Sequence, residues 1–239
     1  MSDVSRETPA VPETAQRVFS SRLELAEQYA DLLATEGTLR GLIGPREVPR
    51  LWDRHLLNCG VLGEAIPSDA SVCDIGSGAG LPGVVLAIAR PDLRVTLVEP
   101  LLRRTSFLEE VVSKLGLETV EVVRGRADAL HGSRRFDVVT SRAVAPLGRL
   151  LEWSMPLVAP TGSLVAMKGS TVAEEIEGVA ELVGQWGLTP PEVLELGAGL
   201  VDIPTFAVRV SWADPGKVVL VPGRHPNKGR SKKSRGRRN

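Results

Sequence analysis

The chain has little from which to build a metal centre or a disulfide framework. Its 239 residues include two cysteines, Cys59 and Cys73, and three isolated histidines, His55, His131 and His225. No Cys-x-x-Cys pair is present, so the spacing of a zinc site is missing and no metal is expected. Two cysteines make no disulfide framework, and a reducing cytoplasm is the expected setting. No run of about 18 apolar residues occurs, which excludes a membrane-spanning helix. The opening stretch, MSDVSRETPAVPETAQ, lacks the basic-then-apolar order of a secretory signal. Aromatics are sparse, and the four tryptophans are scattered. They read as core or cleft walls rather than as a platform for stacked bases.

What is there is a soluble globular chain with a charge asymmetry. Acidic and basic residues balance at 29 each. Eight of the basic ones fall in residues 224–239 with no acid among them, leaving 21 against 29, a net of −8, in the rest. A basic tail on an acidic body predicts a polyanionic partner. The tail, residues 222–239, is low in apolar content and is expected to be disordered, as are residues 1–12.

Apolar residues at three- and four-residue steps predict a helix over 13–36 (Val18, Leu23, Ala26, Tyr29). A second helix is predicted over 47–66 (Val48, Leu51, Trp52, Cys59, Leu62, Ile66). Both precede any strand, so residues 13–68 read as a helical cap. From there strands and helices alternate. SVCDIG, RVTLVE, VEVVRG, FDVVTS and SLVAMK are five strands, and PEVLELG and TFAVRVSW two late ones. Helices are predicted from the Leu81 region to Arg90-Pro91, from Leu101 to Gly116, over 146–157 and over 171–186. This order implies an α/β, doubly wound, mainly parallel seven-stranded sheet over 69–213.

In such a sheet, ligands sit beyond the carboxyl ends of the strands. After the first strand comes CDIGSGAGLPG, residues 73–83, with four glycines in eight positions. Two motifs overlap there. Gly78 to Gly83 fits G-x-G-x-x-G of dinucleotide sites, and Asp74 to Gly80 fits D-x-G-x-G-x-G of S-adenosylmethionine (SAM) methyltransferases. Asp74 discriminates between them. A carboxylate just before the loop repels a pyrophosphate, whereas SAM carries an ammonium and a sulfonium and no phosphate. Gly76, Gly78 and Gly80 let the backbone approach the cofactor without Cβ atoms. Glu99, ending the second strand, suits ribose hydroxyls, and Asp128 suits the adenine amino group. No strand end carries a histidine or Tyr-x-x-x-Lys for hydride transfer. SAM is therefore the expected cofactor.

These segments also resemble a known family. DIGSGAGLPG, RPDLRVTLVEPLLRRTSFLEEV, SRAVAPL, AMKG and the earlier LWDRHLLN are similar to the bacterial 16S rRNA guanine-N7 methyltransferases, the glucose-inhibited division protein B family. The resemblance spans roughly residues 14–212. It implies a Rossmann-like SAM methyltransferase that modifies one guanine in the decoding-region loop of 16S rRNA in the small ribosomal subunit. It carries SAM contacts onto Gly76, Leu81, Glu99, Ala127, Asp128 and Arg142. It also raises a role for His55 in positioning the target nucleotide. The family's His-x-x-Asp-Ser reads His55-Leu56-Leu57-Asn58-Cys59 here.

The chemistry agrees. Guanine N7 is an unprotonated lone pair, so alignment rather than a strong base is required. An arginine after the fourth strand, Arg142, is placed to hold a guanine edge or a phosphate. Lys168, after the fifth strand, is a second candidate for phosphate. Cys73 lies inside a strand, unlike the nucleophile of carbon-5 methylation. The one Pro-Pro pair, Pro190-Pro191, lacks the aromatic partner of adenine-amino methylation. The alternatives are a SAM methyltransferase for a small molecule or protein, and a non-catalytic RNA-binding module. Nothing demands more than a monomer.

Overall fold

The computed structural model describes residues 9–169 and 172–218. The chain enters through α1 (Glu13–Phe19), a tight 3-10 turn and α2 (Leu23–Leu32), which continues into a wider π-type turn over Leu33–Gly37. The helix predicted over 13–36 is thus divided, at Ser20, whose φ of 48° turns the chain. The helix predicted over 47–66 is divided further. Pro45–Arg50 is 3-10, Leu51–Leu57 is π-wound, Asn58–Gly60 is α3, and Val61–Ala65 is 3-10 again. Pro45 and Pro49 supply the local reason, since neither offers an N–H to an α ladder.

The alternating part follows as β1 (Ser71–Ile75), α4 (Gly83–Ala89), β2 (Arg94–Glu99), α5 (Leu102–Lys114), β3 (Val120–Arg124) and β4 (Phe136–Arg142). Then come α6 (Leu147–Ser154), β5 (Val158–Met167), α7 (Val172–Glu177), α8 (Ala180–Trp186), β6 (Glu192–Leu196) and β7 (Thr205–Ser211). All seven predicted strands are present in one sheet of order β3-β2-β1-β4-β5-β7-β6. The first five are parallel, and β7 runs antiparallel to both of its neighbours. Strand β5 starts five residues earlier than SLVAMK suggests and pairs irregularly with β4 between Phe136 and Val138.

Two buried layers flank the sheet. One joins Val72, Val95 and Leu97 to α4, α5 and the N-terminal helices, with Phe19, Tyr29, Leu51 and Leu62 buried. The other joins Cys73, Ile75 and Val139 to α6 and α8. The N-terminal segment is therefore part of the same core as α4. Arg90 locks that junction, bonding Asp92 at 2.8 and 2.6 Å and the carbonyls of Gly63 and Ile66 at 2.8 and 3.1 Å. Burying each large side chain contributes roughly 1.5–3 kcal/mol.

Strand order reverses at β1: the chain winds outward to β3, then returns to place β4 on the other side. The loops after β1 and β4 diverge there and leave a crevice at the carboxyl ends.

Candidate functional site

A cavity of about 560 Å³ fills that crevice. Gly76, Gly78 and Leu81 line it from the β1 loop, Glu99 from β2, Ala127 and Asp128 from the turn after β3, and Arg142 from β4. Leu42, Ile43 and Trp153 add apolar walls. Gly80 turns the other way. Its φ is +100°, and a Cβ there would lie 2.8 Å from the Tyr29 hydroxyl.

Glu99 is almost completely buried at the end of β2. Its Oε2 accepts the Gly78 N–H at 3.1 Å and its Oε1 the Leu101 N–H at 3.0 Å. Arg104 approaches Oε2 at 3.5 Å. The carboxylate thus ties the glycine loop to the next strand. Asp128 is exposed on a 3-10 turn, 3.8 Å from Arg126 Nε.

Asp74 is placed against the cofactor by the sequence, but the structure seats it one layer deeper. Alternation along β1 turns it toward α4, where it is fully buried and does not line the cavity. Its Oδ2 accepts the Gly83 N–H at 3.0 Å. Its Oδ1 is buried with no hydrogen-bond partner among the described residues. Burial pushes its carboxyl up to about 7, against the Gly83 bond, which favours the anion. Gly83 itself admits no side chain, because a Cβ would stand 2.7 Å from Asp74 Oδ2. Above the loop, the buried Tyr29 hydroxyl donates to the Ala79 carbonyl at 2.7 Å.

Arg142 ends β4 with Nη1 2.8 Å from His55 Nδ1 and 3.5 Å from the Arg54 carbonyl. His55 is buried, and its Nε2 lies 2.9 Å from Glu47 Oε2. Desolvation, helped by the Arg142 charge, holds the imidazole neutral, its pKa lowered to about 4. Asn58 and Cys59 stand one turn on, with Cys59 buried.

Lys168 is not free for phosphate. Its ammonium meets Glu175 Oε2 at 2.6 Å and the Ala145 carbonyl at 3.0 Å. Glu175 Oε2 also accepts the Leu147 N–H at 2.6 Å. Lys168 therefore braces the loop that follows Arg142. The structure brings together Gly76, Gly78, Leu81, Glu99, Ala127, Asp128 and Arg142, and leaves Asp74, Gly80, His55 and Lys168 behind the cavity wall. Glu47, Tyr29 and Arg104 are contributors that sequence reasoning missed. On one straight helix, eight residues of 1.5 Å rise put Glu47 and His55 about 12 Å apart. Only the broken helix joins them.

The family model "GidB: rRNA small subunit methyltransferase G" matches residues 22–197. The chain belongs to that family. A protein named "Ribosomal RNA small subunit methyltransferase G" from Nocardioides sp. is 70% identical over 217 residues, covering 90% of this chain and 87% of that one. A protein of the same name from Streptomyces avermitilis is 53% identical, covering 89% and 90%. Among solved structures, the mitomycin 7-O-methyltransferase MmcR superposes with a TM-score of 0.56 at 18% identity, covering 84% of this chain and 69% of that one. A SAM-dependent O-methyltransferase from Thermotoga maritima gives 0.51 at 13% identity, covering 65% and 64%. These two share the fold.

Family membership makes the chain a SAM-dependent methyltransferase, and its cleft fits that cofactor. The volume lies within the range of small-molecule sites. A buried carboxylate, Glu99, lines the cleft beside a loop of bare backbone. Among the described residues, no group of three or more His, Cys, Asp or Glu has the arrangement of a metal site, and no helix is long and apolar enough to cross a membrane.

Proposed function

We propose that the chain transfers the methyl group of SAM to guanine N7 in the decoding-region loop of 16S rRNA, acting as a monomer on the small ribosomal subunit in the cytoplasm. The observation that carries the reading is that Glu99 and Arg142, ending the two strands that flank β1, line one crevice, with Arg142 beside a neutral imidazole.

When bound, SAM would supply a methyl group on cationic sulfur, for which the unprotonated lone pair of guanine N7 is the acceptor. Glu99 would hold the ribose hydroxyls, and Asp128 would meet the adenine amino group. Gly76, Gly78, Leu81 and Ala127 form the backbone and apolar walls of the cofactor site. Asp74 works from beneath, fixing the start of α4 through Gly83 rather than touching the ligand. Arg142 reaches toward the guanine O6 edge and adjacent phosphate, for which its forked donors are suited. His55 orients Arg142, and Lys168 braces the segment between β4 and α6. No group here has to remove a proton, because N7 carries none. Alignment alone can supply roughly 7–11 kcal/mol of the barrier.

The test is to incubate the protein with labelled SAM, small subunits and naked rRNA, then map the label. Label on guanine N7 of 16S rRNA is expected; label on protein or on another base atom refutes the reading.

A further inference from the structure

We infer that Glu47 is a positioning residue for methyl transfer, acting on Arg142 through His55. The inference rests on the reading above, in which Arg142 addresses the target nucleotide.

An arginine has donors only. With Nη1 at 2.8 Å from His55 Nδ1, that nitrogen must accept. A neutral imidazole with an accepting Nδ1 carries its hydrogen on Nε2. Nε2 lies 2.9 Å from Glu47 Oε2, so it donates there. The Glu47 carboxylate thus holds, from the Nε2 side, the same His55 tautomer that Arg142 needs on the Nδ1 side, so that Arg142 meets an acceptor rather than a second donor.

Three elements converge: Glu47 from the 3-10 turn Pro45–Arg50, His55 from the π-wound segment, and Arg142 from the end of β4. Arg54 Nη1, 3.6 Å from Glu47 Oε1, steadies the other carboxylate oxygen. The imidazole is buried while Arg142 is partly open to the cavity. This layout has a chemical consequence. A carboxylate placed directly on Arg142 would neutralise it. A neutral ring between them fixes the guanidinium while leaving its positive charge available to guanine O6 and phosphate. It also spares the long side chain the rotamer freedom it would otherwise lose on meeting substrate.

The test compares wild type with Glu47→Ala and Glu47→Gln. Long-range ¹H–¹⁵N spectra read the His55 tautomer, and single-turnover methyl transfer to unmodified small subunits reads the chemistry. Calorimetry with S-adenosylhomocysteine reads the cofactor site, and circular dichroism with a melting curve reports folding. Wild type is expected to show Nε2–H. Glu47→Ala should lose that tautomer's dominance and slow transfer about tenfold to a hundredfold, with S-adenosylhomocysteine affinity within about twofold. Glu47→Gln, whose amide oxygen still accepts from Nε2–H, should restore the tautomer and most of the rate. Wild-type transfer by Glu47→Ala, an unchanged tautomer in it, or Glu47→Gln as slow as Glu47→Ala overturns the inference. If wild type marks an atom other than guanine N7, the functional reading fails instead, and the tautomer comparison still decides the Glu47 relay.

Discussion

Tyr29 of α2 donates its hydroxyl to the carbonyl of Ala79, 50 residues later, across 2.7 Å of buried space. The bond ties the N-terminal helices to the apex of the glycine loop. Tyr29→Phe leaves that carbonyl buried without its donor, at a cost of about 1–3 kcal/mol. A lower melting temperature and several-fold weaker binding of S-adenosylhomocysteine by calorimetry are the expected results. A variant that melts lower yet binds normally would show that the bond serves folding alone.

Glu99 joins two jobs, since its oxygens accept from Gly78 and Leu101 and face the cavity. Glu99→Gln turns one acceptor into a donor facing backbone N–H groups. Cofactor affinity should fall about tenfold or more, with the fold retained by circular dichroism. Unaltered affinity would remove Glu99 from the ribose site.

Asp74 gives the apoprotein a pH dependence. Its folded-state pKa of about 7 lies above the ordinary aspartate value because the carboxyl is desolvated. Nearby Arg142 works against the shift and Glu99 with it. Between pH about 4 and about 7 the folded chain keeps a proton that the unfolded chain has lost. This contribution to stability is complete below that window and shrinks as pH rises through it. Asp74→Asn keeps an acceptor for Gly83 and removes the titration. Its melting temperature should fall less than that of wild type between pH 4 and pH 8, and equal slopes would refute the assignment.

The basic tail lies outside the described residues, but its charge makes a separate prediction. Each phosphate contact contributes a slope of about −0.7 to log affinity against log salt for single strands. Removing residues 222–239 deletes eight basic side chains. The slope for rRNA binding should flatten while S-adenosylhomocysteine affinity is unchanged. A slope equal to that of the full chain would make the tail a spacer.

Much of the sheet was legible because parallel strands buried on both faces read as apolar runs between turn signals. RVTLVE is β2 residue for residue. The strand-end rule then located Glu99, Asp128 and Arg142, which do meet at one cavity. The N-terminal helices were harder. Hydrophobic spacing found their buried residues but not the 3-10 and π windings, which shift where the polar side chains point. Lys168 misled for a related reason: its position after β5 is correct, yet α7 supplies Glu175 to capture it.

The sequence by itself determined the order of strands along the chain and the bare loop, because these depend on local periodicity and glycine placement; for the cofactor it is the family resemblance that stands, since the Asp74 that argued for a cationic ligand lies behind the cavity wall. Only the tertiary structure decided that Asp74 lies beneath the loop, that Lys168 is paired, and that Glu47 reaches Arg142 through His55. Each of those outcomes depends on which face a side chain takes and which distant element packs against it, and a linear spacing carries no record of either.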